Sequence, residues 1–173
     1  MRKFSPELER WRKMSVGVYV RQERIIVHPI SKTTAGLGVG TAPFEILSIK
    51  VEDAVLGDAA LRAIASVQTG IPHPSPDEWP ALARPLYEAA GVKSWSTFVK
   101  GAVYCDVTQE GRVLRVESSQ NKGARGGFQP IEGQGALTVS ATAPAEEIGL
   151  TVRKALAISR TAAAPTPTAS STR

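Results

Sequence analysis

Two β-branched runs, Val16-Gly17-Val18-Tyr19-Val20 and Arg24-Ile25-Ile26-Val27-His28, stand either side of the polar Arg21-Gln22-Glu23. Side chains that suit a pleated surface, interrupted by a short polar break, predict a β-hairpin. Thr33 to Pro43 is glycine-rich and reads as loop or irregular sheet edge, and Phe44 to Lys50 as a third strand. From Asp53 the period lengthens to that of a helix, with Gly57, Leu61, Ile64, Ala65 and Gln68 on one stripe and Asp58 one turn before Arg62. Gly70, followed by Pro72, is expected to end it. A shorter helix is expected from Trp79 to Ala90, kinked or divided at Pro85 and stopped by Gly91. Gly101 to Val107 and Arg112 to Ser118 flank a turn signal at Glu110-Gly111 and predict two more strands. Ser119 to Gly135 has no apolar period and reads as a long loop, and Ala136 to Ala141 as a last strand. Pro144, Glu146 and Glu147 then open a helix that carries Arg153 and Lys154 toward its end, charges that suit the helix dipole. Ile148, Val152, Ala155 and Leu156 give that helix its buried face.

These elements predict a single α+β domain, a mainly antiparallel sheet of about five or six strands carrying two or three helices. The domain is expected over residues 1–159, with 1–13 a basic N-terminal arm or short helix. Residues 160–173 hold alanine, threonine, serine and proline with nothing to bury, and are expected to be a disordered tail.

A chain of 173 residues can bury a sizeable core without metal or disulfide. Cys105 is the lone cysteine, in the alternating Val103-Tyr104-Cys105-Asp106-Val107, and reads as a core thiol in a protein of the reducing cytoplasm. No stretch approaches the roughly eighteen apolar residues of a membrane span. The start, Met1-Arg2-Lys3-Phe4-Ser5-Pro6-Glu7, places charge where a signal peptide has its apolar core. The net charge of +5 belongs to the ends: residues 1–24 carry seven Lys and Arg against three Glu, and 160–173 two Arg and no acid, which leaves 25–159 at −1. Such a pattern reads first as solvated termini and second as a nucleic-acid footprint.

Catalytic chemistry finds little to work with. Metal-dependent nucleases need clustered carboxylates, often with an Asp/Glu-x-Lys on one strand, and no acid here has a lysine two residues on. One cysteine and two distant histidines, His28 and His73, are too few for a closed zinc site. Gly36-Leu37-Gly38-Val39-Gly40-Thr41 matches neither glycine-rich phosphate motif and opens no helix. No catalytic, cofactor or metal residue is therefore assigned, and the chain is expected not to be an enzyme.

The stretch Gly70 to Phe98 is more distinctive, holding five of the twelve prolines, two of the three tryptophans and one of the two histidines. It runs through Gly70-Ile71-Pro72-His73-Pro74, Asp77-Glu78-Trp79, Pro85-Leu86 and Gly91-Val92-Lys93-Ser94-Trp95-Ser96-Thr97-Phe98, and its rigid φ angles with Trp79 and Trp95 imply that both rings are buried anchors. This string resembles the CdiI family, the immunity proteins of bacterial contact-dependent growth inhibition systems. Ser31-Lys32-Thr33-Thr34-Ala35-Gly36, Leu56-Gly57, and Asn121-Lys122-Gly123 leading to Gly127-Phe128-Gln129-Pro130 fit the same pattern, so the resemblance runs from about Trp11 to about Ser159.

The resemblance implies a cytoplasmic protein that binds and blocks the toxin domain of a partner effector, often a nuclease, tRNA-cleaving ones among them. Under that reading Lys122 and Arg125, with Phe128 as anchor, are the first candidates for toxin contact. A basic nuclease cleft calls for an acidic complement, for which Glu45, Glu52, Asp53 and Asp58 are the densest candidates. The alternative is a small nucleic-acid-binding domain using the basic ends and the Arg125 loop, although direct nucleic-acid binding is not the expected role.

Overall fold

The computed structural model describes residues 13–162. The hairpin forms as expected: β1 (Met14–Arg21) pairs antiparallel with β2 (Arg24–Thr33) around Gln22-Glu23, with Gln22 at φ 55°. On its other side β1 pairs with β6 (Val103–Glu110), which pairs with β7 (Val113–Asn121). Three short strands attach to β2: β3 (Gly38–Gly40), β4 (Glu45–Ser48) and β5 (Thr69–Ile71), the last of them parallel. Two attach to β7: β8 (Phe128–Pro130) and β9 (Leu137–Ser140). Among the described residues this is one α+β domain whose main sheet path runs β3-β2-β1-β6-β7-β8.

Five helices complete the described chain: α1 (Asp53–Ala65), α2 (Trp79–Ala90), α3 (Trp95–Val99), α4 (Gly123–Gly126) and α5 (Ala145–Ala162). The sequence located the three long ones; α3 and α4 are single turns, too short to show a period. Alternation along the strands gives the sheet two apolar faces. On the first, Val16, Val18, Ile25, Val27, Cys105, Val107, Leu114 and Val116 pack beneath α1 and α5. On the second, Ile26 and Phe98 are fully buried with Ala89, Ala90 and Ala102 under α2 and α3.

α1 buries Leu56, Gly57, Ala59, Ala60, Ala63 and Ile64, whereas Ala65 and Gln68 are exposed and Leu61 is half-buried. The predicted stripe was displaced because α1 packs on α5 through small residues, which a hydrophobicity period underweights. Gly70 is not its stop either. Ser66 caps α1, the Lys32 amide donates to the Gln68 carbonyl at 2.9 Å, and Gly70 lies inside β5 with φ 70°. The expected stop at Gly91 is correct: it closes α2 in the left-handed conformation, φ 70°.

Ser119 to Gly135 is not a long loop. β7 continues to Asn121, α4 makes one turn, and β8 returns along β7. The tail boundary also moves, since α5 runs to Ala162; the N-terminal arm and residues 163–173 lie outside the described residues. α5 is seated by buried hydroxyls: Ser118 Oγ donates to the Ala155 carbonyl at 2.9 Å, and Ser159 Oγ donates to the Tyr104 carbonyl at 2.8 Å while accepting from the Ser119 amide at 3.0 Å.

Candidate functional site

Tyr19 lies at the centre of an aromatic cluster on the second face. Its ring centroid is 4.5 Å from that of Tyr104, 5.0 Å from Phe98, 5.5 Å from Phe128 and 5.7 Å from His28. Burial raises the phenol pKa of both Tyr19 and Tyr104, so both stay neutral at physiological pH. The cluster divides the face. On one side α2 and α3 cover it; on the other, toward the β6–β7 turn, the strands stay open and polar.

At the covered end the motif Asn121-Lys122-Gly123 has a structural meaning. Asn121 Nδ2 donates to the Val99 and Ala102 carbonyls at 2.7 and 2.8 Å, and its Oδ1 accepts from the Gly123 amide at 2.8 Å. Trp95 Nε1 donates to the Ala124 carbonyl at 2.8 Å. Phe128 is half-buried against Tyr19, Trp95 and Tyr104, so it pins the turn down. Lys122 and Arg125 are left exposed on α4. Beside them lies a groove of about 700 Å³ lined by Ser96, Lys100, Ala102, Asn121, Ala124 and Arg160 among others, with no acid in its lining. Trp95 and Trp79 are themselves only half-buried, a correction to the expected burial. Each ring serves as a lid over its own turn: Trp95 stacks on Phe98, and Trp79 meets His73 edge-on.

The acidic candidates are spread along α1, Glu52 and Asp53 at its start, Asp58 in its middle and Glu45 beside Arg62 near its end. Glu45 is held by Arg62. Asp53 is bonded by Arg153, which also donates to the Ile49 and Val51 carbonyls. Glu52 and Asp58 are exposed. Two of the four are therefore engaged within the chain.

The open half of the second face was not foreseen. It is a groove of about 600 Å³ lined by Lys13, Lys32, Asp106, Glu110, Arg115 and Glu117 among others. These residues lie just before β1 and on β2, β6 and β7, and only the strand register brings them together. A reading of each strand's outward positions could have flagged them as one polar face, but the partners across the sheet carry no local mark. Lys13 reaches Glu110 at 3.0 Å and Arg115 reaches the same carboxylate at 4.0 Å. Asp106 faces Glu117 across the ladder, and burial together with that neighbour raises its carboxyl pKa to about 6. Of the motifs noted in the sequence, Ser31 to Gly36 is structural. Ser31 Oγ bonds Thr41 Oγ1 at 2.7 Å, and Thr33 Oγ1 bonds His73 Nδ1 at 3.1 Å, which fastens the short strands to β2.

The described surface thus carries charged grooves beside Ala124 and beside Glu117. A family model for CdiI, the CDI immunity protein, matches residues 14–159, and the chain belongs to that family. Two solved structures share the fold. A protein of unknown function from Neisseria meningitidis superposes with a TM-score of 0.69 at 20% identity, covering 87% of this chain and 97% of that one. A chain of the CdiA-CT/CdiI toxin and immunity complex from Yersinia pseudotuberculosis superposes with a TM-score of 0.69 at 14% identity, covering 84% and 97%. A comparison with curated proteins finds no match. As a member of the family, the protein is a CDI immunity protein. No described helix is long and apolar enough to cross a membrane.

Proposed function

We propose that the chain neutralises its toxin by binding alone, in the cytoplasm, with no catalytic step of its own, and that the toxin domain is a nuclease. The family match over residues 14–159 carries this reading. The free, buried Cys105 suits a reducing compartment. The nuclease assignment follows the family resemblance; in the open groove, where Asp106, Glu110 and Glu117 are balanced by Lys13, Lys32 and Arg115, the Asp106 and Glu117 carboxylates make no ion pair among the described residues and are the proposed contacts for exposed toxin cations. Lys122 and Arg125, exposed beside a groove whose lining holds no acid, are the proposed second contact, with an acidic patch of the toxin. Contacts of opposite sign at the two ends of one face would fix the orientation of the complex.

The test is to purify the chain with the toxin domain encoded beside it, measure affinity by calorimetry, and assay nucleic-acid cleavage at equimolar ratio. A dissociation constant below about 10⁻⁷ M with cleavage abolished is expected. Full toxin activity at that ratio overturns the reading. The cations Lys100, Arg160, Lys122 and Arg125 also favour a second reading, a small nucleic-acid-binding domain. Under it the chain alone binds single-stranded RNA with an affinity that falls steeply with salt.

A further inference from the structure

In the groove beside Ala124 the uncharged polar groups are already spent. Asn121 gives Nδ2 hydrogens to the Val99 and Ala102 carbonyls and takes the Gly123 amide on Oδ1. The Ala124 carbonyl takes the Trp95 indole N–H, and Ser96 Oγ bonds Ser94 Oγ at 3.2 Å. Gly101 and Gly123, at φ 73° and 79°, add no side chain, and a Cβ on either would meet nothing within 4 Å, so the backbone leaves the space open. The other side chains that line it are the aliphatic Val99, Ala102, Val103 and Ala124 and two cations.

Those cations are Lys100, from the turn between α3 and β6, and Arg160, from the last turn of α5. Both are exposed, and neither makes an ion pair among the described residues. Lys122 and Arg125 on α4 add two more of the same kind. Cations gathered from three parts of the chain call for an anion, and about 700 Å³ of space with aliphatic walls calls for an apolar group. A nucleic-acid strand supplies the charge but needs aromatic rings on which to stack its bases, and this lining holds none. The Trp95 ring stacks instead on Phe98. A peptide with a carboxylate next to an aliphatic side chain meets both requirements.

We propose that this groove receives an acidic segment of the toxin domain, with an Asp or Glu carboxylate paired to Lys100 and Arg160 and a neighbouring aliphatic side chain seated beside Ala124. The proposal rests on the toxin-binding reading above and gives the partner's chemistry at one contact. Seating the aliphatic group drives water from the groove, and the charge pairs gain strength as the local dielectric falls.

The experiment uses the full chain and the toxin domain encoded beside it. Lys100→Ala combined with Arg160→Ala is expected to weaken the complex about tenfold or more and to flatten its dependence on salt. Ala124→Trp, which fills the groove and leaves all four cations in place, is expected to weaken it about tenfold with the salt dependence unchanged. All three positions are exposed, so the thermal midpoints are expected to stay in place, which excludes misfolding as the cause. Replacing acidic toxin residues by alanine one at a time should find one whose loss is not additive with that of Arg160→Ala. Wild-type affinity in either variant overturns the proposal and leaves the immunity reading intact; absence of any complex with the wild-type chain overturns the reading beneath it. If the toxin-free chain binds a single-stranded RNA oligonucleotide and the Lys100→Ala, Arg160→Ala variant does not, the groove is a phosphate site and the proposal falls. It falls also if deleting residues 163–173 from both chains erases the loss, because the occupant is then the chain's own C-terminal segment.

Discussion

Gly57 of α1 and Gly149 of α5 each lie against the backbone of the other helix. A Cβ on Gly57 would stand 2.7 Å from the Ala145 carbonyl carbon, and one on Gly149 would stand 2.6 Å from that of Asp53. Neither neighbour is the movable end of a side chain, so an added methyl must push the helices apart. Gly57→Ala and Gly149→Ala are each expected to cost about 3 kcal/mol, the upper end for overpacking, despite the better helix propensity of alanine. Urea midpoints measure this. Wild-type stability in both variants would show that the helices do not approach so closely.

Arg153 joins α5 to the start of α1, bonding the Asp53 carboxylate and the Ile49 and Val51 carbonyls. Arg153→Leu keeps much of the apolar stem and removes all three bonds, and is expected to lower stability by about 2 kcal/mol. If the carboxylate alone mattered, Asp53→Asn would cost as much. The expected ordering is Arg153→Leu clearly worse than Asp53→Asn, read from the same denaturant curves.

His28 and Asp106 give opposite dependences on pH. Burial lowers the His28 pKa, so below about 6.5 the unfolded chain takes up a proton that the folded ring does not, and stability falls as pH falls. Burial, and then Glu117, raise Asp106 from 3.8 to about 6, so on acidification from about 6 to about 4 the folded protein gains a proton first and stability rises. Asp106→Asn is therefore expected to be more stable than wild type at pH 7.5, on the order of 2 kcal/mol. That gain should shrink toward zero by about pH 4. A difference that stays constant with pH would contradict the assignment.

Trp95 holds α4 through its bond to Ala124 and its contacts with Phe98 and Phe128. Because it is half-buried, Trp95→Ala is expected to cost about 2 kcal/mol, less than the 3–5 typical of a fully buried ring. Hydrogen exchange at the amides of 122–127 should rise with it. Protection unchanged there would mean that the turn is held by Asn121 alone.

Lys122→Glu combined with Arg125→Glu should weaken the toxin complex about tenfold or more and steepen its loss with salt, while leaving the thermal midpoint in place. Both side chains are exposed and unburdened by internal ion pairs among the described residues. Unchanged affinity would remove this contact and leave the function standing.

The long elements were readable because each carries its own period: the Val16–His28 hairpin, the Trp79–Ala90 helix and the buried face of α5 follow from spacing alone. Short strands such as β3, β5 and β8 have three residues each and exist only because a longer strand offers them hydrogen bonds. Asn121 falls in a stretch that reads as a long loop because its bonds reach backbone groups up to 22 positions away. Lys122 and Arg125 were chosen as a local basic cluster, and local clusters survive folding. Asp106 and Glu117 are eleven positions apart and meet only through the β6–β7 register, which is a property of pairing and not of either strand.

The contact between α1 and α5 also sets an order of events during synthesis. The first-face core beneath Val16, Ile25 and Leu56 cannot close until α5 has arrived, and α5 follows every strand of the sheet along the chain. A growing chain that already holds β1 to β7 still exposes that face to its surroundings. Protection against the toxin would thus switch on only once α5 has been made, and a chain that stops before it would be a substrate for chaperones and proteases, not a partial antidote.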